Sequence, residues 1–201
     1  MYKILFVIAI LVLPTIAQAA KNNIDYLNFN SQESFKDFAS DLTGALAYKT
    51  IRPAEPLGLA GFDLGFTGNI STLKHKQMAS VSSNGGRTME TYILSAVKGL
   101  PFDVDVGVDY TFVPASNIST WGGNISWALF DGTTSLPAIG LTGHYTQTNG
   151  IKAIRYNSHG LDLGVSKGFF NFTPYASIGM LSSNVQTKVT NQGAAGELKE
   201  V

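Results

Sequence analysis

Residues 102 to 113 alternate without a break between Phe102, Val104, Val106, Val108, Tyr110, Phe112 and Asp103, Asp105, Gly107, Asp109, Thr111. Successive side chains of a strand point to opposite faces, so a period of two predicts a strand with one oily face. The same alternation predicts a first strand over residues 59 to 70, where Ala60, Phe62, Leu64 and Phe66 oppose Gly61, Asp63, Gly65, Thr67 and Asn69. A second strand is expected over 89 to 98, with its facing left open because Tyr92 and Leu94 compete with Ile93 and Val97.

Downstream the pattern persists. Trp121, Ile125, Trp127 and Leu129 oppose Thr120, Gly122, Asn124, Ser126 and Ala128, and Ile139, Leu141 and Tyr145 oppose Gly140, Thr142 and His144. Leu161, Leu163 and Val165 oppose Gly160, Asp162, Gly164 and Ser166, and Phe172, Ala176, Ile178 and Met180 oppose Asn171, Thr173, Tyr175, Ser177 and Gly179. The count is about seven strands.

One segment has a different period. Phe35, Phe38, Leu42 and Leu46 fall at helical spacing behind Ser31, an N-cap residue type, with Glu33 in the first turn and Lys36, Asp37 and Asp41 off the stripe. This predicts a helix from Gln32 to Ala47, serving as a lumen plug, a surface lid or a solvated leader. Arg52-Pro53-Ala54-Glu55-Pro56-Leu57-Gly58 cannot continue a helix, because proline lacks the donor and restricts the residue before it, so it is read as a connector.

The chain's opening sets the compartment. Met1, Tyr2 and Lys3 precede an apolar run of about ten residues, Ile4 to Leu13, and Ala17-Gln18-Ala19 is a small-x-small cleavage site. That is the layout of a secretory signal peptide over residues 1–19. The run falls short of the roughly 20 residues a membrane helix needs, and later runs are broken by Gly, Asn, Thr and Asp, so only a closed barrel would span. The expected class is all-β, an antiparallel up-and-down transmembrane β-barrel with a short N-terminal helix. Its divisions are residues 20–58 for the helix and connector, 59–183 for the strands and 184–201 for a polar tail.

Turns at Gly99 to Pro101, Asp131 to Ser135 and Lys167 to Phe170 read as short, the connection at 71 to 88 as long and that at 147 to 154 as intermediate, as if two ends faced different compartments. Seven strands leave an edge unpaired in lipid, so the expectation is an incomplete barrel of about eight to ten strands, shortened at its C terminus.

Fourteen basic and fourteen acidic residues balance, giving no field for nucleic acid. With no cysteine there is no lipid attachment, disulfide or thiolate metal site. Glycines and aromatic residues are abundant, as suits tightly turning strands with interfacial rings.

These features, with the segment Lys167-Gly168-Phe169-Phe170-Asn171-Phe172-Thr173-Pro174-Tyr175-Ala176-Ser177-Ile178-Gly179, resemble bacterial outer-membrane β-barrel proteins. Arg52 to Gly58 and Lys98-Gly99-Leu100-Pro101-Phe102 resemble a group of proteobacterial outer-membrane proteins. The resemblance covers residues 1 to 182. It implies the bacterial outer membrane as location, with membrane lipid, the barrel assembly machinery and periplasmic chaperones as partners; small-solute passage and oligomerisation are left open. Such proteins usually end on a strand with a terminal aromatic residue, where this sequence has Glu200-Val201. The resemblance transfers no catalytic or binding residue.

Candidate chemistry is sparse. Asp103, Asp105 and Asp109 share one strand face, where carboxylates at i and i+2 stand about 7 Å apart; they are read as lumen residues paired with Lys or Arg of neighbouring strands, with a cation site or selective pore as the sharper alternative. His75, His144 and His159 lack metal-ligand spacing. The Asn-x-Ser/Thr triplets at Asn69, Asn117, Asn124 and Asn171 are read as chance, and Trp121, Trp127, Tyr110, Tyr145 and Tyr175 as an interfacial girdle. No catalytic, cofactor-binding or metal residue is assigned, no cofactor is implied, and enzyme function is not expected.

The expected function is an integral outer-membrane barrel with a structural or narrow-pore role. The alternative is a soluble periplasmic barrel whose oily face binds a lipid-like ligand. On the first reading Val106→Arg impairs insertion and Asp105→Asn leaves folding nearly intact.

Overall fold

The computed structural model describes residues 24–26, 29, 31–75, 78, 86–114 and 116–187. The signal peptide and its cleavage site, most of the polar connection before Gly86, and the tail from Lys188 lie outside the described residues.

After the α-helix α1 (Gln32–Leu46) come seven strands, β1 (Phe62–Thr72), β2 (Thr88–Leu100), β3 (Val104–Phe112), β4 (Ser119–Phe130), β5 (Ala138–Asn149), β6 (Ile154–Ser166) and β7 (Tyr175–Thr187). They form one sheet in sequence order, each strand antiparallel to the next, curled into a half-barrel. The fold is thus an all-β, up-and-down barrel architecture with one short helix. Among the described residues β1 and β7 do not pair with each other. Both run in the same direction, toward the end where α1 lies.

The alternation read from the sequence sets the faces. On β1 the exposed positions are Phe62, Leu64, Phe66 and Ile70, and the partly covered ones are Asp63, Gly65, Thr67, Asn69 and Ser71. β3 turns Val104, Val106, Val108, Tyr110 and Phe112 outward and Asp105, Gly107, Asp109 and Thr111 inward. On β2, where the sequence left the facing open, Met89, Ile93 and Val97 point inward and Tyr92 and Leu94 outward. This strand is apolar on both faces because its inner side lies beneath the N-terminal segment, with Met89 completely buried.

The boundaries differ from expectation in several places: β1 begins at Phe62 rather than at residue 59, and Asn171, Phe172 and Thr173 lie in the connection before β7 rather than in a strand. Phe102 and Asp103 have φ of 66° and 59°, so they form the β2–β3 turn rather than the start of the strand. β6 begins at Ile154, well before the oily stretch, since its first half faces Ile154, Tyr156 and Ser158 into the buried interior. β7 continues to Thr187, past the expected boundary at residue 183: Val185 packs into the core, and the Ser183 hydroxyl lies 3.0 Å from that of Thr43 in α1. The expected contrast of short and long connections also weakens. Lys167–Pro174 is longer than Gly150–Ala153 at the opposite end, so loop length does not distinguish the two ends.

The core is at one end. Phe35, Phe38 and Leu42 of α1 are fully buried with Leu73, Met89, Ile118, Ile154, Tyr156 and Val185. Ser31 caps the helix, its Oγ accepting from the Ser34 N–H at 3.1 Å. Asp41, which the helical pattern put on the polar side, is buried and accepts the Lys74 and His75 N–H groups at 3.1 and 2.8 Å, tying the helix to the chain after β1. Asp25, ahead of the helix, accepts from Asn117 Nδ2, Lys152 N and Ala153 N. Helix α1 is therefore packed across the mouth of the half-barrel, as a cap rather than a solvated leader.

Candidate functional site

From Ala47 the chain leaves the cap and runs along the concave wall to Gly58, whose φ of 69° turns it into β1 at the far end. Two prolines keep this stretch extended and non-helical. Lys49 stays near the mouth, its Nζ donating to Gly44 O, Ala45 O and Ser71 Oγ at 2.8, 3.0 and 2.8 Å. Burial pushes its pKa down to about 8, which still leaves it charged at neutral pH. A cation on the last carbonyls of α1 also complements the negative end of the helix dipole.

Deeper in, the Tyr48 ring stacks on His144, with centroids 4.4 Å apart and planes 13° from parallel. His144 Nε2 lies 3.2 Å from Asp162 Oδ2. Arg52 stands 3.9 Å from Asp105 Oδ2, with little of either side chain exposed. Asp105 also accepts the Leu57 N–H at 3.2 and 3.3 Å, and Ser166 Oγ accepts the Ala54 N–H at 2.9 Å. With Ser71 of β1 holding Lys49, four strands thus hold one connector. The space left beside it, bordered by Tyr48, Arg52, Asp105, Thr142 and Asp162, is about 40 Å³, room for no more than a few waters.

Glycine makes this wall possible. A Cβ on Gly65 would meet Ser95 Oγ at 2.5 Å, on Gly107 Asn124 Nδ2 at 2.7 Å, and on Gly160 His144 Nε2 at 2.7 Å; on Gly122 it would collide with Asp109 and on Gly179 with Asp162. Each larger polar side chain lies flat over a glycine of the neighbouring strand. The sequence showed the mixture of Gly and Asp but not this pairing, which depends on register.

The expected acidic face is partly corrected. Asp105 and Asp109 are inward and buried, whereas Asp103 sits in the exposed turn and leaves the pair. The histidines are dispersed: His144 is in the wall, His75 is at the mouth 3.4 Å from both Asp37 and Asp41, and His159 is on the outer face of β6. Among the described residues no group of three or more His, Asp or Glu is arranged to hold a metal ion. Asn69 and Asn124 face inward, Asn117 binds the Ile24 N–H, and Asn171 is exposed in the β6–β7 connection.

Of the expected girdle, Trp121, Trp127, Tyr110 and Tyr145 are on the outer face, while Tyr175, paired with inward Ser166, is on the inner face. Outer rings form a continuous ladder near the capped end, Phe66 to Tyr92, Phe112, Tyr110 and Trp121, with neighbouring centroids 4.8 to 6.3 Å apart. Near the far end Phe62, Phe102, Trp127, Phe130, Phe169, Phe170 and Phe172 are exposed.

Between these rings lie Leu64, Leu94, Val108, Ile125, Leu141, Leu161, Leu163, Ile178 and Met180. The band is oblique to the hydrogen-bonded rows. In the row of Phe66 the outer residues are Leu94, Tyr110 and Trp121 but then Gln147, Asn157 and Asn184; in the row of Trp127 they are Leu141, Leu163 and Ile178.

Comparison with family models, curated proteins and solved structures finds no match to this chain.

Proposed function

We propose that this protein is an integral β-barrel protein of the bacterial outer membrane, exported by its N-terminal signal, non-enzymatic, and closed at rest by its own N-terminal segment. The observation that carries the reading is the oblique outer band of Phe, Leu, Ile, Val and Trp side chains, exposed on a sheet whose inner face is mostly Gly, Ser, Thr, Asn and Asp. Contiguous exposed apolar surface of this extent is costly in water and is the normal dress of a lipid-facing barrel, with aromatic girdles at both interfaces. A soluble barrel that carries a lipid would turn the oily face inward and present charge outside.

Capping by α1 and filling by the connector favour a structural or gated role over a permanently open pore. The partners implied are outer-membrane lipid and the assembly machinery that inserts barrels.

The two tryptophans test this directly, since the chain has no others. Both are on the outer face of β4, Trp121 at 49 % and Trp127 at 52 % exposure. Full-length protein reconstituted into vesicles of brominated lipid is expected to lose most of its tryptophan fluorescence relative to unbrominated vesicles. Fluorescence unchanged by bromination, with quenching by a water-soluble quencher instead, contradicts the membrane reading.

A further inference from the structure

The inner wall has one sign of charge. Asp63, Asp105, Asp109 and Asp162 face inward with His144 among them, and the described inward positions of β1 to β7 include no lysine or arginine. Basic side chains within this wall come from the N-terminal segment: Arg52 at Asp105, and Lys49 beneath the mouth. The acidic groups of that segment are directed elsewhere, with Asp41 holding the backbone at Lys74 and His75, and Glu55 exposed toward the far end.

A second observation concerns what the wall lacks while the segment is in place. Asp109 and Asn124 lie side by side and pair with each other, each only 4 % exposed, while Asp109 Oδ1 and, next to them, His144 Nδ1 and Thr146 Oγ1 are buried without a partner. Buried polar atoms without partners are costly. These atoms gain partners when water or ions reach the wall. Apart from Met89, Ile93, Val97, Tyr156 and Tyr175, the side chains left on it are short, so withdrawal of the connector leaves an anionic surface with many hydroxyls.

We propose that the wall is a conduction path selective for small hydrated cations, and that the N-terminal segment is its tethered plug, with Arg52 and Lys49 occupying the place of the permeant ions. Rings of carboxylates select cations in pores by the same attraction. The proposal rests on the membrane reading above and adds to it an activity, a charge selectivity and the group that blocks it.

The test is planar-bilayer recording of the full-length chain under a potassium chloride gradient, beside Arg52→Gln and the double variant Tyr48→Ala/Arg52→Gln. Wild-type protein is expected to be closed for most of the record. Loss of one charge-assisted contact is expected to raise the open fraction roughly tenfold, with a reversal potential favouring potassium over chloride. In the opened background, Asp109→Asn/Asp162→Asn is expected to lower that preference severalfold. Arg52→Gln, which keeps a polar side chain and removes the charge, is the variant that stands if the double variant fails to fold. Membrane retention is measured on the same preparations. Variants that are retained but stay closed, or that open without preferring potassium, overturn the proposal alone; wild-type protein that is not retained overturns the membrane reading and the proposal together.

Discussion

At the scale of single residues, the wall is governed by which side chain lies over which glycine. Gly122 and Gly123 are neighbours with opposite duties. A Cβ at Gly122 collides with the Asp109 carboxylate, whereas at Gly123 its nearest neighbour is Gly107 O at 3.7 Å. Gly122→Ala is therefore expected to cost roughly 1–3 kcal/mol, the usual range for overpacking, and Gly123→Ala almost nothing, read as urea midpoints of the refolded protein. Equal midpoints contradict the facing of β4. Asp105 anchors the connector. It holds Arg52 and the Leu57 N–H, so Asp105→Ala is expected to destabilise the protein by about 1.5–3 kcal/mol, the worth of charged hydrogen bonds. Val106→Arg, on the outer face of the same strand, is expected to cost about 2–4 kcal/mol in lipid and little in water. Insertion yield in vesicles, compared with solubility in buffer, separates those cases.

At the scale of elements, what was legible in the sequence was what a period records. The 3.6-residue spacing of Phe35, Phe38, Leu42 and Leu46 gave α1 to within a residue of its end, and the dyad repeat of Phe62 to Asn69 or Val104 to Phe112 gave the outer and inner faces. The polar upper halves of β6 and β7 were not legible, because pairing with a neighbour and packing beneath α1 maintain a strand there without an oily outer face. Nor was the buried role of Asp41, or of Tyr48 and Arg52, since each depends on contacts with residues distant in the sequence. The sheet edges carry their own expectation. β1 and β7 run in the same direction, so one strand running the opposite way lies antiparallel to both, and lipid requires that such edges be paired.

At the scale of the whole molecule, two complementary surfaces meet in one wall. The outer face offers an apolar band bounded by rings, and the inner face offers carboxylates, hydroxyls and glycines beneath a segment that supplies the basic groups. The arrangement is economical if the outside is lipid and the inside is a closed, polar interior. In water it would leave Phe62, Leu64, Phe66 and Ile70 of β1 alone, each at least 65 % exposed, as an adhesive stripe along a sheet edge. The most direct measurement is fractionation of Gram-negative cells expressing the full-length chain, followed by carbonate and urea washing of the outer membranes. The account predicts that the processed protein, shortened by its signal peptide, stays with the washed outer membrane. Its release into the wash, or recovery as soluble periplasmic protein, contradicts the account.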